Sequence, residues 1–380
     1  MKNKYPFLDG LRIIAVLMVF SEHIHSYILL DNFKPLDSPW LSNVYFYLLN
    51  KWHLDFTDFL IWFNNFNHRP SMGQGTLGVD LFFVISGFLI TGLLIRGGDG
   101  NLNVGRFYIH RFLKIYPSYF SLIIVTFLYL FFVNHLQFSY LKTELPFYLI
   151  FFQNGHGPLI GVLGHTWTLV VEEQFYFFYP IIAFIVFKAS PSAIVRKNLL
   201  MFLAVIIIVI APITRYHFHF ENNMAMATFY HFDALALGCL LALNEKFLIS
   251  IRHLKILGVM FWTIGIGLYV YLTFFFQWLG GSTTWYVYDL SGLAAMNIFL
   301  AGYLGVSTLS SIKFFQWLGR HSYGIYLWHF LILIIFFPGS DKMPPILFIV
   351  LYVFVALLAG ILSTWTIEKY FLNLRKKLIP

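Results

Sequence analysis

Residues 11–30 read LRIIAVLMVFSEHIHSYILL, a predominantly apolar run that carries an arginine and a histidine, Arg12 and His23. In an α-helix eleven residues make about three turns, so these two side chains share one face about 16 Å apart along the axis. A charge inside a membrane span costs about 2.5 kcal/mol or more and is rarely retained without a partner or a function. The segment therefore predicts a membrane helix that faces a polar interior and not lipid.

The composition extends this interpretation to the whole chain. It is 59% hydrophobic and 11% charged, with 45 Phe and 23 Tyr, which is typical of a multi-span membrane protein. No segment outside the apolar runs is long enough to bury a core of its own, so we expect an all-α polytopic protein with one domain over residues 1–380. The single Cys239 excludes an intrachain disulfide framework and a cysteine-based metal site.

The apolar runs predict ten transmembrane helices. They cover residues 11–30, 77–95, 115–134, 167–187, 198–214, 229–244, 254–276, 289–309, 321–337 and 346–368. A further apolar stretch, Leu145 to Gln153, is too short to span, and counting it as a span would place basic loops on opposite sides. We therefore expect it to be a re-entrant or interfacial segment, with both termini in the cytoplasm. The net charge of +8 lies in short loops and indicates topology, not a nucleic-acid surface.

This topology sorts the ionisable residues by depth. The set predicted toward the outside is His23, Asp80, His165, Glu172, Glu173, His231 and Asp233. The set predicted toward the inside is Asp9, Arg12, the basic cluster at Arg106, His110, Arg111 and Lys114, Arg320, and Glu368, with His329 near the midplane. An acid-base set outside and a basic set inside predict one conduit with two chemically distinct mouths.

Each of these residues also has a structural explanation. Arg12 lies about one turn inside the membrane, from where it can extend to cytoplasmic headgroups, and His23 can serve as a hydrogen bond between helices. The basic cluster fits anionic lipid as well as the phosphates of a nucleotide-like cofactor. Asp80 and Asp233 each stand at the start of a span, where the helix dipole favours an anion.

Several short motifs occur together in one order across nearly the whole chain. They are Leu8-Asp9-Gly10-Leu11-Arg12 with His23; Gly78-Val79-Asp80 through Ser86-Gly87-Phe88; Arg106-Phe107-Tyr108 running into Arg111 and Tyr116-Pro117; His165-Thr166-Trp167-Thr168 with Glu172-Glu173-Gln174-Phe175-Tyr176; Asp233-Ala234-Leu235 with Gly238; and Gly319-Arg320 with Ser322-Tyr323 and Tyr326-Leu327-Trp328-His329. Together they resemble the acyltransferase family 3 membrane proteins, the bacterial O-acyltransferases that modify surface sugars.

The resemblance implies a ten-span bundle in the bacterial inner membrane, in the form without a fused hydrolase-like domain. It implies transfer of an acyl group, usually acetyl, from cytoplasmic acyl-coenzyme A to a hydroxyl of an extracytoplasmic glycan or glycolipid, with lipopolysaccharide among the acceptors. Arg12 and His23 then form the family's Arg-x10-His pair. Arg111 and Lys114 stand at its Arg-x-x-Arg element, where lysine replaces the second arginine and loses its bidentate fork.

Moving an acyl group from a thioester to an alcohol needs a base, a group that orients the base, and donors for the oxyanion. We expect His23 as base, Glu173 or Glu172 as its orienting carboxylate, and Trp167, Tyr176 and Ser86 as donors, with Arg12 and Asp80 in the catalytic set. We expect Arg12, Arg106, Arg111, Lys114 and Arg320 to bind the donor, and His165, Asp233 and His329 to bind the acceptor. No ligand spacing predicts a metal. His23 suits direct transfer and a covalent intermediate equally.

The alternative function is a transporter or exporter of a small polar or acylated molecule. Such proteins also place paired ionisable residues at mid-depth, but they often show inverted repeats and broken helices in matching halves, and this sequence shows neither. An acyltransferase should release free thiol from acyl-coenzyme A, whereas a transporter should not, so this measurement separates the two functions.

The predicted topology is testable with single cysteines. Ser192→Cys and Ser282→Cys should react with an impermeant thiol reagent from opposite sides, the second from outside only, because the loop charges place these positions on different faces. Labelling of both from one side would mean that Leu145 to Gln153 spans the membrane.

Overall fold

The computed structural model describes residues 5–24, 72–97, 104–155, 161–217, 227–275, 285–306, 308–336 and 345–378. Over these ranges the chain is helical and contains no strand. The α-helices are α1 Pro6–Ile24, α2 Met72–Gly97, α3 Val104–Val133, α4 His135–Leu149, α5 Trp167–Ala189, α6 Ala193–His217, α7 Phe232–Leu243, α8 Glu245–Ser250, α9 Lys255–Val270, α10 Trp285–Tyr303, α11 Lys313–Gly319, α12 Ser322–Phe336, α13 Pro345–Ser363 and α14 Lys369–Leu378. The labelling position Ser282 lies outside the described residues.

The prediction of an all-α polytopic membrane protein is confirmed. Six helical stretches in the described ranges are long and apolar enough to cross a membrane: Gly75–Arg96, Val104–Val133, Gly161–Ala189, Ala193–His217, Lys255–Thr273 and Leu347–Lys377. Two shorter apolar helices, Phe232–Leu243 and Ser322–Phe336, coincide with further predicted spans, as do the 19-residue helices α1 and α10. The number of crossings and the cytoplasmic placement of the termini stay predictions.

The ambiguous stretch from Leu145 to Gln153 is not a separate segment. It contains the last turn of α4 and the turn that follows, in which Phe151 takes a positive φ of 56°. The whole of α4 is 15 residues, or about 22 Å, which is shorter than the hydrocarbon core of a bilayer. It starts at Asn134, whose side chain accepts the backbone N–H of Gln137 at 3.0 Å, and it packs against α3.

Helix α2 lies at the centre of the bundle and packs against α1, α7 and α10. Its closest neighbour is α7, because each helix presents a glycine to the backbone of the other. A Cβ atom at Gly87 would overlap the carbonyl oxygen of Leu235, and one at Gly238 would overlap that of Val84. Small residues at such crossings let membrane helices approach closely, since packing replaces the hydrophobic effect as the attraction between them.

This packing predicts different effects for two Gly→Ala substitutions in helices. Gly238→Ala should destabilise the protein by about 1–3 kcal/mol, because the added methyl group forces α2 and α7 apart. Gly267→Ala in α9 should be neutral or stabilising by up to about 1 kcal/mol, because nothing lies within 4 Å of its Cβ position and alanine is the better helix former. Thermal unfolding in detergent compares the two variants. Equal midpoints would contradict the close crossing.

Candidate active site

Two cavities open in the described part of the bundle, at different distances along α1. The larger has a volume of about 360 Å³ and includes Arg12, and the smaller has a volume of about 190 Å³ and includes His23. Because α1 places these residues about 16 Å apart along its axis, the cavities lie at two depths in the bundle. We call them the basic cavity and the histidine cavity.

The basic cavity is lined by cationic side chains from separate parts of the chain. They are Arg12 of α1, Arg111 and Lys114 of α3, Arg320 before α12, and Arg375 of α14. His110 and two carboxylates, Glu172 and Glu368, also line it. Cations outnumber carboxylates in this lining. The cavity therefore suits a ligand with several phosphate groups, to which arginine and lysine form charge-assisted hydrogen bonds.

Four of the five side chains predicted to bind the donor, Arg12, Arg111, Lys114 and Arg320, thus come together in one cavity. The exception is Arg106, which is exposed at the start of α3 and does not line the basic cavity. Sequence reasoning missed Arg375, because it belongs to a terminal basic run that we interpreted as topology only. It reaches the cavity because α14 packs against α3.

Arg111 is held by two adjacent carboxylates of α5. Its guanidinium lies 3.4 Å from a carboxylate oxygen of Glu173 and 3.9 Å from one of Glu172, and it stacks over the Tyr176 ring at 3.5 Å from the ring centroid. The Ser86 hydroxyl donates to the other oxygen of Glu172 at 2.5 Å. This cluster joins α2, α3 and α5 on one wall of the basic cavity.

The structure does not bring Glu172 or Glu173, the predicted orienting carboxylates, to His23. Both glutamates lie at the depth of the basic cavity, because their partner Arg111 is there. His165 stands seven residues before Glu172 and lines the histidine cavity. One helical stretch therefore contributes side chains to both cavities. Of the three predicted oxyanion donors, Ser86 and Tyr176 line the basic cavity, and Trp167 lines the histidine cavity beside the His231 ring.

His23 is bound instead by His329. Nδ1 of His23 and Nε2 of His329 are 2.8 Å apart, and the two rings stack with their centroids 5.1 Å apart. His329 was predicted to bind the acceptor, but it is completely buried, does not line the histidine cavity and stacks on Phe20. The structure therefore places His329 against the His23 ring and not on the wall of the histidine cavity.

The hydrogen bonds fix the tautomers of this pair. Nδ1 of His329 bonds to the carbonyl oxygen of Tyr326, and since a carbonyl only accepts, this nitrogen carries the proton. Neutral His329 then accepts at Nε2, so His23 donates its Nδ1 proton to it. The other nitrogen of neutral His23, Nε2, keeps a free electron pair. This is the tautomer that a general base requires.

A third histidine lines the same cavity. His165 donates its Nε2 proton to the carbonyl oxygen of Leu327 at 3.0 Å, so its Nδ1 holds the electron pair. This Nδ1 is buried and has no hydrogen-bond partner among the described residues. It suits a hydroxyl donor from a ligand. In the described ranges no group of His, Cys, Asp or Glu side chains has the arrangement of a metal site.

Asp80 and Asp233 belong to a different cluster that sequence reasoning missed. The fully buried Arg215 at the end of α6 lies 2.6 Å from a carboxylate oxygen of Asp233 and 2.5 Å from one of Asp289, and it donates to the carbonyl oxygen of Tyr230. Asp80 is buried close enough to interact with this group electrostatically.

Neither Asp80 nor Asp233 lines the basic cavity or the histidine cavity, so the structure does not bring them to the other predicted catalytic and acceptor-binding residues. They stabilise the crossing of α2, α6, α7 and α10. The signal for Arg215 was present in the sequence, since an arginine directly follows an apolar run on the side predicted to be poor in basic residues.

Curated proteins of three bacteria are similar in sequence to this chain. The peptidoglycan O-acetyltransferase OatA of Listeria monocytogenes is 27% identical over 300 residues, which cover 71% of this chain and 47% of the relative. The O-acetyltransferase OatA of Staphylococcus aureus is 26% identical over 392 residues, 94% of this chain and 55% of the relative. The putative peptidoglycan O-acetyltransferase YrhL of Bacillus subtilis is 25% identical over 404 residues, which cover 96% of this chain and 54% of the relative.

The chain thus spans about half the length of the curated relatives it matches. No solved structure matches it. A family model described as an acyltransferase domain matches residues 5–365, which is nearly the whole chain and includes every residue of the two cavities except Glu368 and Arg375. With cationic side chains gathered in one cavity and an oriented histidine in the next, the protein belongs to this family of membrane acyltransferase domains.

Proposed function

We propose that this protein transfers an acyl group, with acetyl as the simplest case, from acyl-coenzyme A to a hydroxyl of a cell-wall glycan. The observation that carries the proposal is the hydrogen-bonded chain from His23 through His329 to the Tyr326 carbonyl, beside a cavity lined by cations. The relatives are named O-acetyltransferases, in two cases peptidoglycan O-acetyltransferases, and these names support the reaction and this acceptor class.

The basic cavity suits the phosphates of the donor. Arg12, Lys114, Arg320 and Arg375 come from four separate parts of the chain, so the site depends on the assembled bundle. Arg111 is already neutralised by Glu172 and Glu173, and its main part is to hold the wall of the cavity. Phosphate contacts made equally with bound substrate and transition state lower KM and leave kcat unchanged.

The histidine cavity suits the reacting hydroxyl. Nε2 of His23 takes the hydroxyl proton while the oxygen attacks the thioester carbonyl carbon and forms the new C–O bond. The C–S bond then breaks, and the sulfur leaves with the proton that His23 returns, so that the products are an ester and free thiol. His329 holds the His23 ring in the required tautomer, and the free electron pair on His165 Nδ1 accepts a further hydroxyl of the acceptor.

A first test separates the base from its positioning residue. His23→Ala should lower kcat about 10²- to 10⁴-fold with little change in donor affinity, because it removes the proton acceptor. His329→Ala should lower kcat less, and the double variant should be no slower than His23→Ala, because His329 acts only through His23. Thiol release and acetylated product are measured with purified protein in nanodiscs, acetyl-coenzyme A and soluble peptidoglycan oligosaccharides.

Near wild-type transfer by folded His23→Ala protein would contradict its role as base. An additive loss in the double variant would contradict the positioning role of His329. Wild-type protein that releases no thiol when both substrates are present would overturn the reaction itself and favour a transporter.

A second test concerns the donor cavity. Lys114→Ala should raise the KM for acetyl-coenzyme A with kcat nearly unchanged, and Lys114→Arg should keep donor affinity, because the positive charge remains and the guanidinium adds a second donor. Arg106→Ala is the matched control, since this residue lies on the same helix outside the cavity. Donor titration of all three variants makes the comparison. An equal rise in KM for Arg106→Ala would mean that the effect is one of general surface charge.

A further inference from the structure

Three side chains line both cavities: Val79 of α2, Thr168 of α5 and Tyr326 of α12. Among the described residues, the cations of the basic cavity do not line the histidine cavity, and His23 does not line the basic cavity. A donor anchored by its phosphates in the first cavity can meet the base only if its thioester passes these three residues. The reacting carbon therefore crosses a boundary that the bundle itself forms.

Hydrogen bonds hold this boundary closed. The Tyr326 hydroxyl lies 2.6 Å from the carbonyl oxygen of His165 and 2.5 Å from the Thr168 hydroxyl. Because the carbonyl only accepts, the tyrosine donates to it, and Thr168 donates in turn to the tyrosine oxygen. Both side chains are largely buried, with 9% of Tyr326 and 7% of Thr168 exposed. The ring of Tyr326 is thereby fixed across the passage.

The same turn of α12 also anchors the histidines. The backbone carbonyl of Tyr326 accepts from His329, and that of Leu327 accepts from His165. The boundary is formed by side chains, whereas the histidines are oriented by backbone. The Tyr326 ring can therefore rotate away from Thr168 while the carbonyls that orient His329 and His165 stay in place.

We propose that Thr168 and Tyr326 form a partition that the acyl thioester displaces on its way to His23, and that this partition decides between transfer and hydrolysis. The inference rests on the proposed function. His23 would activate a water molecule as readily as a sugar hydroxyl, and attack by water would release the carboxylic acid and free thiol without acylating any acceptor. A closed partition keeps the thioester away from the base and from water until the passage is opened by the donor.

The experiment measures the coupling ratio, defined as acylated acceptor formed per thiol released. Tyr326→Phe removes the hydroxyl and keeps the ring, and Thr168→Val removes the other hydroxyl at nearly constant shape. Each should raise thiol release from acetyl-coenzyme A without acceptor about tenfold, equivalent to about 1.4 kcal/mol, and lower the coupling ratio with soluble peptidoglycan oligosaccharides as acceptor.

The chain offers a matched control for the loss of a buried hydroxyl. Thr91 donates to the Tyr179 hydroxyl at 3.1 Å, and this buried Thr–Tyr pair joins α2 to α5 outside both cavities. Tyr179→Phe therefore makes the same chemical change without touching the boundary. It should leave the coupling ratio at the wild-type value.

The outcomes separate the two proposals. If wild-type protein transfers acetyl groups but Tyr326→Phe and Thr168→Val keep its coupling ratio, the partition is wrong and the proposed function stands. A parallel loss of transfer and hydrolysis in both variants would likewise reduce these residues to a structural role and overturn the partition. Wild-type protein that releases no thiol with acceptor present overturns the proposed function and the partition with it.

Discussion

The cost of burying an ionisable side chain in the membrane interior governs where this bundle places its charges. Two arginines of the described bundle meet their counter-charges from other helices. Arg215 of α6 binds carboxylates of α7 and α10, and Arg111 of α3 binds two carboxylates of α5. These contacts fix helix positions as well as charges, because removing one partner leaves an uncompensated buried charge. The two cavities lie between helices that are held in this way.

The two charge clusters have different consequences for chemistry. The Arg215 cluster lies outside both cavities and stabilises the crossing of helices. The Arg111 cluster forms a wall of the basic cavity, and its glutamates neutralise the arginine that family resemblance places in the donor site. The remaining cations, such as Lys114 and Arg375, are therefore the better candidates for phosphate contacts. A residue of a family motif can thus support the wall of a site without making the main contact to the bound phosphates.

The histidine cavity follows a different principle. Among the described residues, a second histidine bonded to a backbone carbonyl, and not a carboxylate, orients His23. A neutral orienting group suits a buried site, because a carboxylate there would carry its own desolvation cost. The same turn of α12 that supplies this carbonyl also supplies the Tyr326 ring between the cavities. The orientation of the base and the separation of the two cavities are therefore built on one element.

The sequence by itself determined what depends on local pattern. Apolar runs located the helices, and the spacing of Arg12 and His23 on one helical face placed a basic group and a histidine at two depths. Short motifs in order identified the family. The ends of helices were less well determined where a helix and an apolar run do not coincide, as at Leu145 to Gln153. A helix can continue through polar residues such as Lys142 and Glu144.

Only the tertiary structure decided which side chains meet. His23 and His329 are 306 positions apart, and nothing in either local segment states that their rings are in contact. The glutamates of α5 could face either cavity until the packing of α3 against α5 brought Arg111 to them. Helical periodicity is a property of neighbouring residues, whereas the choice of partner depends on close crossings such as that of Gly87 and Gly238. Those crossings are set by the whole bundle, and for that reason local pattern can name candidate side chains but not their partners.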